Sequence, residues 1–581
     1  MEDLSKMRWI AGLLVILAIG HGRAELLLRD PLLAGDWDDA RCDRLAEDVA
    51  DADQNTVVDN PPKMAAKWVS EGCEVRPGPE FLLRSYTFHR NGTFRLLQFH
   101  YGEESCSLPL YTVAAKGRYR ARGRSWLTPA ATEAEYTLTR VTVTAQSAEV
   151  AEELAARVNA ACPGQVRRRW KPYREYVVLS ISEDDADDAD VQSPRNNLPP
   201  SESHGPGQGR GLGRALGRAR SVRLMSTTDV DCLSALHAAF HELQLVRTQR
   251  RPQGPQPRAA PAAPRTGAPA RHELLLGDVH SRPDQRGSYR PTAFQVPLLK
   301  ADQAHGCHVC HAVARASERS PPNLHVKPRL PPYLGGDWVS SRCETRPLGL
   351  FLRRRLRVRA GAGSLEGWHA WQGEYEFYSD PLCTMPTFTA TEAGRYTVGG
   401  LSTQVLGALQ ADFHVERAAL TVLDADLVAS LQADPLCGGG LGFGEWRVGV
   451  PRDLTAAHGC ASLGLVVPAI RYELVRVDVD TWGQSLLYLG QPDTENRRGG
   501  PSERPTAYQP PLVRCRGLPP PVHALPALDA LAVEEDDIAN GLADDRDYSV
   551  SAARGSHCAA SRLVAAGLTV WLALLRRMSR V

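Results

Sequence analysis

The sequence predicts a mainly β protein with minor α content, built as two tandem antiparallel barrel-like domains stapled by disulfides. Three observations lead there. The phrase W-V-S-E-G-C-E-V-R-P from Trp68 to Pro77 returns as W-V-S-S-R-C-E-T-R-P from Trp338 to Pro347, so one fold is used twice. Aromatic and β-branched runs flank tight-turn residues, as antiparallel hairpins require. Thirteen cysteines fall into a repeated series, which suits an oxidising compartment.

Taken in chain order, residues 1–24 read as a secretory signal: a short basic start, an apolar stretch from Trp9 to Gly20, and small residues up to Ala24. The first repeat domain is placed at 37–315. Within it, Phe81 to His89 and Thr93 to Tyr101 flank Asn91-Gly92, a strong hairpin signal. Asn91-Gly92-Thr93 is also the single glycosylation sequon, placing a glycan on a hairpin tip. A helix is expected over Glu149 to Ala160, where Val150, Leu154, Ala155 and Val158 share a face ahead of Cys162-Pro163.

The second repeat domain is placed at 330–516. Cys106, Pro109, Tyr111, Gly117 and Tyr119 correspond to Cys383, Pro386, Phe388, Gly394 and Tyr396, and R-P-T-A-F-Q-V-P-L from Arg290 to Leu298 returns as R-P-T-A-Y-Q-P-P-L from Arg504 to Leu512. Arg353, Arg355, Arg357 and Arg359 alternate with Leu356 and Val358, then Gly361-Ala362-Gly363 turns the chain into a run bearing Trp368 and Trp371. Trp170 and Cys232 stand farther apart than Trp446 and Cys460, so the first copy holds an insertion at about 182–229, with a second Pro/Arg/Ala-rich excess at 250–271. Both are expected to be disordered. Antiparallel strands need closure to protect their edges, which favours barrels over the alternative of a β-sandwich.

Cys42, Cys73, Cys106, Cys162, Cys232 and Cys307 are assigned to the first copy and Cys310, Cys343, Cys383, Cys437, Cys460 and Cys515 to the second, with Cys558 left over. Three bonds within each copy are expected, with the connectivity open. The run H-G-C-H-V-C-H around Cys307 and Cys310 has zinc-like spacing, but an exported chain favours the oxidised form. No metal and no cofactor is implied.

Residues 517–558 read as a juxtamembrane linker and 559–577 as a membrane segment, with Arg576, Arg577 and Arg580 on the inner side. The expectation is a single-pass cell-membrane protein with an extracellular amino terminus; a lipid anchor is the alternative, because Ser551 to Ser556 offers small residues ahead of the apolar tail. The 68 basic and 67 acidic side chains leave a net charge of +1, which gives no support to nucleic-acid binding. G-x-S-x-G, H-E-x-x-H and G-x-x-x-x-G-K-[ST] are all missing, and His241-Glu242 is followed by Leu245 where a second histidine would stand. No enzyme is expected.

The phrases W-V-S-x-x-C-E-x-R-P and C-x-[LM]-P-x-[YF]-T, with His241-Glu242-Leu243 in one copy and Tyr472-Glu473-Leu474 in the other, resemble the adenomatosis polyposis coli down-regulated family. The resemblance runs from about Cys42 to Cys515. It implies a cell-surface glycoprotein that inhibits Wnt signalling by engaging the Wnt ligand and its co-receptor; whether it forms a homodimer is left open. Combined with a barrel interior, it suggests sequestration of the ligand's fatty acyl chain, because each buried methylene contributes about 0.8 kcal/mol. Trp68, Phe81, Phe99, Tyr101, Tyr111, Trp338, Phe351, Trp368, Trp371 and Phe388 are the candidate wall residues. The competing class is an extracellular lipid carrier or adhesion module without Wnt activity.

Overall fold

The computed structural model describes residues 39–181, 232–233, 235–252, 270–326, 333–359, 369–437, 445–480, 483–495, 497 and 500–515. The expected signal at 1–24, most of both insertions, Trp368, the linker, Cys558 and the membrane segment lie outside them. No helix among the described residues is long and apolar enough to cross a membrane.

The first repeat forms β1 (Val57–Val58), β2 (Lys67–Val69), β3 (Glu74–Arg76), β4 (Glu80–Phe88), β5 (Thr93–Tyr101), β6 (Pro109–Arg124), β7 (Thr132–Ala145), β8 (Glu175–Ser180), β9 (Leu245–Pro252), β10 (Ala270–Leu276) and β11 (Leu298–Lys300). Starting at β2, the ring passes through β4, β5, β6, β7, β9, β10 and β11 and returns to β2, with every pairing antiparallel. The hairpin of β9 and β10 pairs Arg250 with His272 and Arg251 with Arg271, so Arg250, Arg251 and Arg271, assigned to the second insertion from composition, belong to the barrel wall. Their charge made them read as solvated loop, but strand pairing constrains the backbone and leaves long basic side chains free to reach outward.

The second repeat forms β12 (Gly336–Ser340), β13 (Glu344–Arg346), β14 (Leu350–Arg359), β15 (His369–Tyr378), β16 (Pro386–Leu401), β17 (Leu409–Val422), β18 (Pro451–Asp453), β19 (Gly459–Cys460), β20 (Leu465–Val466), β21 (Ala469–Val479), β22 (Ser485–Leu489) and β23 (Leu512–Arg514). Here β12, β14, β15, β16, β17, β21, β22 and β23 close in the same antiparallel manner. Closure removes the unpaired edges that an open sheet would expose. Both repeats lie in one compact unit.

Each ring needs a sharp bend in its two longest strands, and a glycine supplies it. The β6–β7 register slips between Lys116 and Gly117, and the β16–β17 register slips between Ala393 and Gly394. A Cβ on Gly117 would stand 2.1 Å from the Thr137 carbonyl oxygen, and one on Gly394 would stand 1.9 Å from that of His414. Only a residue without a side chain permits these two backbones to approach so closely.

Among the described residues four α-helices accompany the strands: α1 (Asp39–Gln54), α2 (Ala148–Ala161), α3 (His308–Arg315) and α4 (Ala425–Ala433). The hydroxyl of Ser147 accepts from the Val150 N–H at 3.2 Å to start α2, and Asp424 caps α4 in the same way. The helices that precede the two W-V-S phrases change places. On α1, Cys42 is buried with Val339 and Cys515 of the second repeat, whereas Cys310 and Val313 of α3 are buried with Val69, Leu83 and Phe99 of the first.

That exchange corrects the expectation of three disulfides within each copy. Cys73–Cys106 and Cys162–Cys232 are internal to the first, Cys343–Cys383 and Cys437–Cys460 to the second, and Cys42–Cys515 joins the two. Cys307 and Cys310, assigned one to each copy, bond to each other. The cause is the crossing of α1, which removes Cys42 from its own copy. The bonded pair offers no thiolate to a metal.

Candidate functional site

Side chains on a strand alternate between faces, so the interior of each ring is identified by the one cluster to which all eight strands contribute. In the first barrel that cluster includes Trp68, Tyr86, Phe94, Tyr111, Val143, Val246, Leu274 and Leu298. The opposite faces of β2, β4, β5, β6 and β11 form a second cluster with Val69, Phe81, Leu83, Phe99, Tyr101 and Leu299, which α3 covers. In the second barrel Trp338, Leu356, Trp371, Tyr396, Phe413, Val475, Leu487 and Leu512 face inward.

The candidate wall residues therefore separate. Trp68, Tyr111, Trp338, Trp371 and Phe388 point into the interiors. Phe81, Phe99 and Tyr101 lie outside the first ring under α3, and Phe351 packs outside the second against Tyr378 and the Cys343–Cys383 bond. Trp68 and Trp338 occupy equivalent places, since their indole N–H groups donate to the Met64 and Leu334 carbonyls at 2.7 and 2.8 Å. Asn91 is exposed at the β4–β5 tip, where Thr93 Oγ1 donates to its side-chain oxygen at 2.8 Å.

A stapled cap closes one end of each interior. Over the first, Leu154 and Val158 of α2 join Trp170, Leu236 and Phe240, tied by Cys162–Cys232; Trp170 stacks on Tyr176 with ring centres 4.7 Å apart. Over the second, Leu431 of α4 joins Trp446 and Leu454, tied by Cys437–Cys460. Phe388 packs beneath this cap, as Tyr111 does beneath the other.

Inside the walls lies a polar cluster that the sequence reading missed, built from Ser70, Glu74 and Arg76 of the duplicated phrase together with residues outside it. Ser70 Oγ donates to Glu74 at 2.6 Å, and the Arg84 guanidinium meets Glu74 at 2.7 Å and Glu242 at 3.1 Å. Arg76 also holds Glu242, at 2.6 Å, while Tyr86 donates to it and Gln295 donates at 2.7 Å. In the second copy Ser340, Glu344 and Arg354 repeat the motif, with 2.9 and 2.8 Å bonds to Glu344. The recurrence of Ser, Glu and Arg at fixed places around each cysteine was the signal that could have revealed it.

Electrostatics differ between the copies. Burial alone would raise the Glu242 carboxyl, yet Arg76 and Arg84 outweigh it and hold the group below the ordinary carboxylate range. At the equivalent Glu473, burial prevails over Arg471 and Arg354, and its carboxyl is raised. Burial also pushes the Tyr86 hydroxyl up, reinforced by Glu242, and lowers the His100 imidazole to about 3, helped by Arg76.

One further difference bears on what each interior can hold. The inward place taken by Ala115 in the first barrel belongs to Glu392 in the second, and Phe240 corresponds to Arg471. Glu392 and Arg471 form an ion pair between the two apolar clusters of the second barrel, whereas the apolar residues of the first interior form one connected cluster beside its buried Arg76, Arg84 and Glu242 group. The concave cleft on the outside of the first ring is of another kind: about 380 Å³, lined by Arg95, Lys116, Arg140, Thr142, Glu175 and Glu318. Such a lining suits polar ligands and not an alkyl chain.

Two matches of one family model cover most of the chain: the model for adenomatosis polyposis coli down-regulated 1 fits residues 41–325 and again 326–522. The division coincides with the two rings, and the buried Ser-Glu-Arg cluster of each lies within its own match. The chain belongs to the adenomatosis polyposis coli down-regulated family.

Proposed function

We propose that this protein inhibits Wnt signalling at the cell surface, engaging a Wnt ligand and its co-receptor, and that the first barrel takes up the ligand's fatty acyl chain. Membership of the family supports the signalling role. The observation that carries the acyl reading is the single connected apolar cluster of the first ring, running from Trp68 and Phe94 to Tyr111 beneath the cap and lying beside the buried Arg76, Arg84 and Glu242 group. The second interior is the poorer host, since an alkyl chain entering it would have to pass the ion pair of the buried Glu392 with the partly exposed Arg471, and separating a buried carboxylate from its partner is costly.

The side chains of the first interior now fill one another's space, so uptake requires part of the cap to move. Cys162–Cys232 ties the end of α2 to the segment leading to Phe240, so these two parts of the cap would swing together. Apolar transfer supplies the driving force, at about 0.8 kcal/mol for each methylene buried. The role is binding without turnover, exerted from a membrane anchor at the carboxyl end.

Equilibrium binding of the purified ectodomain to acylated and enzymatically deacylated Wnt ligand tests the proposal. At least a tenfold loss on deacylation is expected; equal affinity for the two forms would exclude acyl capture. Similar uptake of many unrelated lipids without any Wnt interaction would favour a general carrier.

A further inference from the structure

Five of the six disulfides close sequence separations of 23 to 473 residues, as staples that restrict an unfolded chain do. Cys307–Cys310 closes a separation of 3, where restriction of the unfolded chain is smallest, so constraint is a poor reason for its presence. Its setting is also different. Cys307 is the N-cap of the eight-residue α3, and its sulfur accepts from the Cys310 N–H at 3.0 Å. Cys307 is partly exposed and Cys310 is 1% exposed, packed with Val69 and Leu83.

An accessible sulfur at a helix N-terminus, receiving a backbone N–H, with a buried partner three residues on, is the arrangement that favours a thiolate and hence an exchangeable disulfide. His305, His308 and His311 are exposed on either side of the pair. A stabilised thiolate stabilises the reduced form and makes the disulfide a better oxidant.

We propose that Cys307–Cys310 is a redox-active disulfide that exchanges with a cysteine pair of another protein. A thiolate of the partner attacks Cys307 Sγ, the accessible sulfur; the Cys307–Cys310 bond breaks and its electron pair leaves on Cys310 Sγ, which takes up a proton. The partner's second thiolate then attacks the partner sulfur of the mixed disulfide and releases Cys307 as a thiolate, which is protonated in turn. The partner's dithiol becomes a disulfide, and the pair receives two electrons and two protons. The buried position of Cys310 makes it the resolving thiol in the reverse direction.

The test is a redox titration of the full chain, with all six bonds formed, in glutathione buffers of graded ratio, followed by acid quenching, differential alkylation and peptide mass spectrometry. Cys307–Cys310 is expected to be half reduced at a glutathione ratio at least tenfold more oxidising than any of the other five bonds. In a second arm, Cys310→Ser is expected to accumulate a mixed disulfide between Cys307 and an oxidised dithiol peptide, whereas Cys307→Ser accumulates none. Reduction of this pair only together with, or after, the longer-range bonds would overturn the proposal, as would equal trapping by the two variants.

Discussion

Glu242 is the residue on which the first barrel's polar cluster converges, with two guanidiniums, a phenol and two amides directed at one buried carboxylate. Glu242→Gln should therefore destabilise the protein by roughly 3–5 kcal/mol, because it leaves Arg76 and Arg84 short of a counter-charge in a buried setting. The equivalent Glu473→Gln should cost much less, since burial already favours the protonated form that glutamine imitates. Urea denaturation of the two variants measures the contrast, and equal losses would show that the copies do not differ as described. His100, stacked on Tyr111 with ring centres 4.5 Å apart, supplies a pH dependence. Its folded pKa, about 3, lies below the ordinary 6.5, so the unfolded chain binds the extra proton between those values. Stability falls on acidification through that window, by at most about 1.4 kcal/mol per pH unit from this group. His100→Gln should flatten the fall of Tm between pH 6.5 and 4; an unchanged slope would assign it to other groups.

At the scale of elements, the two bulge glycines permit the bend of the longest strands, so Gly117→Ala or Gly394→Ala should destabilise its barrel by about 1–3 kcal/mol or more, read as a drop in Tm. Insertion of alanine without loss would mean that the strands can separate there. These glycines were legible as part of the repeat, and so were the Asn91-Gly92 hairpin and α2, because turn chemistry and helical spacing are local signals. The leading helices were not. In α1 the stripe Cys42, Leu45, Ala46, Val49 and Ala52 has helical spacing, but small side chains give it little weight among six acidic residues. The faces of β4 and β5 were legible only as alternating: both carry apolar residues, since α3 covers the outer one. Period two therefore could not tell Phe99 outside from Tyr86 inside.

At the scale of the whole molecule, the exchange of leading helices explains why the repeats act as one body. The acidic α1 lies on the arginine-bearing outer face of the second barrel, where Asp43 meets Arg355 at 2.7 Å and Asp53 meets Arg353 at 3.3 Å, while the more apolar α3 lies on the aromatic outer face of the first. Each helix is matched to the surface it covers, and Cys42–Cys515 secures the crossing over a separation of 473 residues. No pattern in the linear chain could announce that pairing, because it depends on which outer face each helix meets. The family and its two barrels were readable from repeated phrases; the continuity of the first interior and the ion pair dividing the second required the closed rings.

Uptake of an acyl chain by the first interior is the claim on which the functional account depends, and photochemical labelling with a fatty acid bearing a diazirine near its methyl end tests it most directly. After irradiation of the purified ectodomain and peptide mass spectrometry, the account predicts adducts on Trp68, Tyr111 and neighbouring inward residues of the first barrel, reduced by competition with acylated ligand. Adducts confined to the outer-face residues Phe81, Phe99 and Tyr101, or to the second barrel, would contradict it.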